Sequence, residues 1–130
     1  MQNTIYLWIG SQTCGNYIND EFLGYSANQY DNLDDEMFII KHGQKYENLR
    51  SVKVSMRNMH EGQQPIAAFT KRRDSKDGKT WNRLKCEGVF YSEHEAMKHL
   101  YTFTGWGILS ICVRKLDTCL DEILTLKTQN

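Results

Sequence analysis

Two residues, Asp77-Gly78, constrain this chain more than any other pair, because they stand in a polar loop between two runs of alternating residues. Glycine takes positive φ without steric cost, so such a pair predicts a hairpin. The rising arm is Ile66-Ala67-Ala68-Phe69 followed by Lys71, Arg72 and Arg73, and the polar turn runs from Asp74 to Lys79. The returning arm carries Trp81, Arg83 and Lys85 on one face, opposite Asn82, Leu84 and Cys86. Ser92-Glu93-His94-Glu95 then spells a capping box, in which a serine hydroxyl and a carboxylate satisfy orphan donors of a first helical turn. The spacing predicts a helix over about 92–104, with Ala96, Met97 and Leu100 inward and Gly105 at its end.

The other elements follow from periodicity. Thr4 to Ile9 alternates Ile5, Leu7 and Ile9 with Tyr6 and Trp8, so both faces are bulky enough for a central strand covered on each side. The following loop, Gly10 to Gly15, lacks the lysine of a phosphate-binding P-loop and reads as a turn. Residues 16–35 are rich in Asn and Asp, which favour turns and caps, and read as a loop or short irregular helix. Glu36 to Lys41 reads as a strand, and Ser51 to Arg57 as a half-exposed antiparallel strand with Val52, Val54 and Met56 facing the core. Gly107 to Lys115 is a further strand, and Asp117 caps a short final helix with Leu116, Leu120, Ile123 and Leu124 on its apolar stripe.

The expected fold is therefore α+β. A mainly antiparallel sheet of five or six strands carries one main helix and a short C-terminal one, in a single compact domain over 1–130. With 40% hydrophobic residues, 25% charged residues and one proline, disorder is not expected. No run approaches the roughly 18 apolar residues of a membrane helix, and there is no basic flank with an apolar core as in a secretory signal, so a cytoplasmic protein is expected. Cys14, Cys86, Cys112 and Cys119 form no disulfide or zinc spacing, and no metal or cofactor is expected.

A net charge of zero conceals a marked asymmetry. Residues 1–40 carry −6, residues 41–85 carry +8, and the last 45 residues carry −2. Either the middle segment meets an anionic partner, or the two halves neutralise each other. On the first reading Lys53, Arg57, Lys71, Arg73, Arg83 and Lys85, with Trp81 between them, form a basic strand and ribbon. Cations interleaved with an aromatic ring suit phosphate contact and stacking, so the partner would be nucleic acid or a phosphorylated small molecule. That role leaves Trp81 exposed, with its face aligned with Lys71 and Arg73.

The alternative is a protein-binding inhibitor or adaptor. Tyr17, Tyr25, Tyr30, Asp31, Asp34, Asp35 and Glu36 would meet a basic protein surface and mimic nucleic-acid charge. The C-terminal apolar stripe completes the core on one reading and seals a homodimer on another. A Cys-dependent enzyme would need Cys14 with His42 or His60 as base, and no sequence feature brings these together. The glycine-aromatic step Gly88-Val89-Phe90-Tyr91-Ser92, with Ala96 inside the following helix, resembles the small three-strand-plus-helix DNA-binding unit of integrase arm-type domains. That resemblance covers about residues 66–104 and implies contact with nucleic acid.

If Cys14 does no chemistry, Cys14→Ser leaves the thermal midpoint nearly unchanged, because serine removes only the thiol from a loop position. Differential scanning fluorimetry of the two proteins checks this.

Overall fold

The computed structural model describes residues 3–30, 43–56, 63–103 and 107–122. Six strands form one sheet: β1 Asn3–Cys14, β2 Tyr17–Ser26, β3 Glu47–Met56, β4 Ile66–Lys76, β5 Lys79–Phe90 and β6 Ile108–Lys115. The longest helix among the described residues, α1 Glu93–Leu100, continues as a single 3₁₀ turn through Phe103. The strand order is β3-β1-β2-β5-β4-β6. Neighbours are antiparallel except β2 and β5, which run parallel over Tyr17–Asn19 and Thr80–Asn82.

The order resolves into two three-stranded units of the same plan. In each, a hairpin is followed by a third strand that returns beside the first: β1-β2 with β3, and β4-β5 with β6. The correspondence extends to irregularities. The register shifts between Trp8 and Ile9 in one unit and between Ala68 and Phe69 in the other, and each shift lies opposite a glycine with φ of 147°, Gly24 and Gly88. An extra residue in one strand bends it and increases its twist, which turns the inner faces of the units toward each other.

Those inner faces share one core. Ile5, Leu7, Ile9 and Met56 of the first unit join Ala67, Phe69 and Leu84 of the second, together with Leu116. Phe22 and Phe69 meet across it with ring centroids 5.4 Å apart. The outer face of the first unit is covered around Trp8, Leu23, Tyr46 and Leu120, and that of the second by Ala96 and Leu100 of α1 over Ile66 and Ala68. The two-faced apolar pattern of Thr4–Ile9 thus has its reason: β1 is central, with Ile5, Leu7 and Ile9 inward and Trp8 outward.

The α+β expectation is overturned. Strands make up 64% of the described residues and helix 14%, so the protein is mainly β with a mixed sheet. The largest single difference is at residues 16–35, where a loop or irregular helix was expected and Tyr17–Ser26 is a strand. Its polar residues are spent inside the sheet and not on turns: Asn19 accepts from Asn82 at 2.6 Å, and Asp20 is buried and hydrogen-bonded. β1 also continues to Cys14 through the residues read as a loop, and the turn is confined to Gly15 and Asn16.

Other expectations hold. Asp77 and Gly78 both have positive φ, 53° and 77°, the signature of a two-residue type I′ hairpin. Ser92 caps α1 by accepting the Glu95 N–H at 3.1 Å. On β3, Val52, Val54 and Met56 turn to the core while Lys53 and Ser55 are exposed. Leu116 and Leu120 are buried in the core. Residues 120–122 are helical, but Asp117 to Cys119 are not, so Asp117 does not cap a final helix as expected, Cys119 instead bridging to Tyr25. Residues 123–130 and the expected strand Glu36 to Lys41 lie outside the described residues.

At Gly24 added side-chain volume would meet the backbone itself. A Cβ there would lie 2.9 Å from the carbonyl oxygen of Thr118, which also accepts the Tyr25 N–H. Gly24→Ala is expected to cost roughly 1–3 kcal/mol through strain and displacement of that carbonyl. Gly15→Ala has open space around it but a φ of 60°, so it is expected to cost roughly 1–2 kcal/mol from left-handed backbone strain alone, with no displaced neighbour. Urea unfolding of both variants checks the difference.

Candidate anion-binding groove

The β4-β5 hairpin carries most of the candidate cations, and its register decides which of them meet. Tight turn chemistry at Asp77-Gly78 sets Asp74 opposite Trp81, Arg72 opposite Arg83 and Thr70 opposite Lys85. Directly opposed residues of an antiparallel pair share a face. The expected alignment of Trp81 with Lys71 and Arg73 therefore does not occur; those two oppose Leu84 and Asn82. The cationic face of the ribbon is instead Arg72, Arg83 and Lys85.

Where this hairpin passes β3, a groove of about 710 Å³ opens between the two units. Its charged lining is Arg50, Arg72, Arg73, Arg83, Lys85 and Asp74, five cations against one carboxylate. Ile9, Val52, Leu84 and Cys86 supply its apolar wall. Only two of the five cations have a carboxylate partner among the described residues. Arg83 reaches Asp74 at 3.4 Å, with both side chains about half exposed, and Arg50 pairs with Asp20. The Arg72 Nε is buried and has no hydrogen-bond acceptor among the described residues.

Arg50 is held from behind by a buried, heavily bonded carboxylate. Asp20, 1% exposed, accepts from four donors: Ser11 Oγ at 2.7 Å, Trp81 Nε1 at 2.7 Å, the Leu84 backbone N–H at 3.0 Å and the Arg50 guanidinium. The parallel ladder between β2 and β5 ends at Asn19 and Asn82. One residue later the carboxylate of Asp20 takes up a backbone donor of β5 in place of a main-chain carbonyl. A buried carboxylate is tolerated when hydrogen bonds and a counter-charge replace its water, and Asp20 has both.

Trp81 belongs to this construction. Its ring has cations around it, with Arg50 and Arg83 guanidinium carbons 5.4 and 5.3 Å and Lys76 Nζ 5.0 Å from the ring centroid. Cations over an indole face are attracted by its quadrupole. The expectation of an exposed stacking platform is corrected accordingly: Trp81 is half-buried, anchored by its N–H, and serves to position two groove arginines.

The remaining candidates are dispersed. Lys53 is exposed on β3 opposite Tyr6 and does not line the groove. Lys71 lies in a different depression with Asp20, Glu21 and Arg114. Arg57, Asp31, Asp34, Asp35 and Glu36 lie outside the described residues, as do His42 and His60. Of the tyrosines proposed for protein binding, Tyr17 is 53% exposed at the start of β2, whereas Tyr25 packs against the core at its other end. Tyr30 donates its hydroxyl to Asp121. Burial would raise the Asp121 carboxyl, but that bond and others from Ala27 and Asn28 outweigh it and hold the group below its usual value.

Cys14 is exposed, and Cys86 is pushed up by burial, which disfavours its thiolate. No cluster of metal-ligating side chains occurs among the described residues. Arg50, Arg72 and Asp20 were missed from the sequence. Arg50 lies one residue ahead of the alternation that marks its strand, and Arg72 falls on the face of β4 opposite Lys71 and Arg73. No known family, curated protein or solved structure matches the chain.

Trp81→Ala is expected to lower stability by about 2–3 kcal/mol, below the full cost of a buried tryptophan because the side chain is only partly buried. Trp81→Phe keeps the ring but removes the donor to Asp20, and is expected to cost about 1–2 kcal/mol. Denaturant unfolding of both variants measures the two contributions.

Proposed function

We propose that this chain is a small non-enzymatic binding protein whose groove between β3 and the β4-β5 hairpin engages the phosphate groups of an anionic partner, nucleic acid or a phosphorylated small molecule. The observation that carries this is the cross-strand pair Arg72 and Arg83. Like charges placed directly opposite are destabilising, and here Lys85 and Arg73 add to them with a single carboxylate nearby. An anion between the two arginines would relieve that repulsion. The protein-binding alternative has less support, since Tyr25 and Tyr30 are engaged internally.

A cytoplasmic location fits four free cysteines, as expected where thiols are kept reduced. No helix among the described residues is long and apolar enough to cross a membrane.

Charge reversal separates the groove from basic residues elsewhere. Arg73→Glu with Lys85→Glu alters two exposed groove cations without carboxylate partners among the described residues, so the fold should persist while retention on heparin is lost. Lys53→Glu with Lys71→Glu makes the same charge change outside the groove and should largely preserve retention. Equal retention of both folded variants at the wild-type salt concentration would contradict the proposal.

A further inference from the structure

We infer that the groove takes one small molecule of the nucleoside diphosphate class, and not the backbone of a nucleic-acid polymer; this rests on the anion-binding reading above. Three features of the structure lead there. The first is arrangement. A polymer backbone is followed by cations spread along a track, but here Lys53 and Lys71 stand apart, while Arg50, Arg72, Arg73, Arg83 and Lys85 converge on a single depression. The second is size. At about 710 Å³ the groove falls inside the range of roughly 300–1,000 Å³ common for small-molecule sites.

The third is chemical complementarity. Arg72, Arg73 and Lys85 have no carboxylate partner among the described residues, and Arg83 has a distant one at 3.4 Å. A single phosphate ester carries about −1.5 to −2, which leaves cations over, whereas two linked phosphates match them more closely. On the other wall, the partly exposed Val52 and Cys86, backed by the buried Ile9 and Leu84, give the groove an apolar side. Arg72 is the residue on which the two halves of this recognition turn. It has no carboxylate partner among the described residues and Arg83 faces it from the next strand, so a phosphate between the two guanidinium groups would neutralise both.

The test is isothermal titration of the full chain with adenosine diphosphate, with adenosine, and with long single-stranded oligo-dT, alongside heparin chromatography. Adenosine diphosphate is expected to bind one per chain, oligo-dT to bind no more tightly per site, and adenosine not to bind. Arg72→Gln, checked for an unchanged melting profile, should weaken adenosine diphosphate by roughly ten- to a hundredfold, the loss of one charge-assisted hydrogen bond. Should Arg72→Gln fail to fold, Arg83→Gln provides the same reading from the opposite side of the pair. Tight oligo-dT binding that adenosine diphosphate does not compete away would overturn this inference and leave the anion-binding reading standing. Heparin retention without diphosphate binding, or diphosphate binding indifferent to Arg72 and Arg83, would have the same consequence. Failure of every anion, heparin included, would overturn both.

Discussion

Beside the apolar core that the two three-stranded units share, their polar joint is built on the carboxylate of Asp20. The sheet is joined across its middle by only three residue pairs of β2 and β5. Beyond them Asp20 reaches Ser11 of β1, Arg50 of β3, and both the indole of Trp81 and the backbone of Leu84 on β5. One side chain of the first unit therefore holds the second unit by a main-chain donor and an aromatic ring. The same side chain sets Arg50, so the joint between the units and the wall of the groove are one construction.

This arrangement explains why a charged cleft and an apolar core coexist within a few residues. Ile9 and Leu84 contribute to the shared core and to the groove's wall together, and Arg50 is drawn to its place from the protected side by Asp20. Surface ion pairs contribute little because both partners remain solvated; Arg83 and Asp74 are of that kind. A carboxylate at 1% exposure with four donors is different, since loss of any donor leaves an acceptor that water cannot readily satisfy. Trp81 stands between these regimes, its N–H in the buried network and its ring face among cations.

Much of the fold was legible from local chemistry. The Asp77-Gly78 turn, the Ser92 cap and the alternation of β3 were each visible because a few adjacent residues determine them. What was not legible was long-range. Asn19 and Asp20 look like turn residues because such side chains usually bond to nearby backbone, and only the approach of β5 gives them partners more than sixty positions away. The doubled plan of the two units left no sequence repeat, because the shared feature is a bulge opposite a glycine, with different residues around it. The candidate site was half legible for the same reason. Arg73, Arg83 and Lys85 were found by composition, whereas Arg72 and Arg50 depend on register and on a neighbour in space.

The central claim is that the Asp20 carboxylate joins the two units, and the unfolding free energy of Asp20→Asn tests it most directly. Asparagine keeps the shape but loses the charge that Arg50 meets and turns an N–H₂ group toward donors. Stability is expected to fall by about 2–4 kcal/mol, the lower part of the range for a broken buried ion pair because Arg50 is 30% exposed. A loss within roughly 0.5 kcal/mol, the level of an ordinary surface substitution, would contradict the claim.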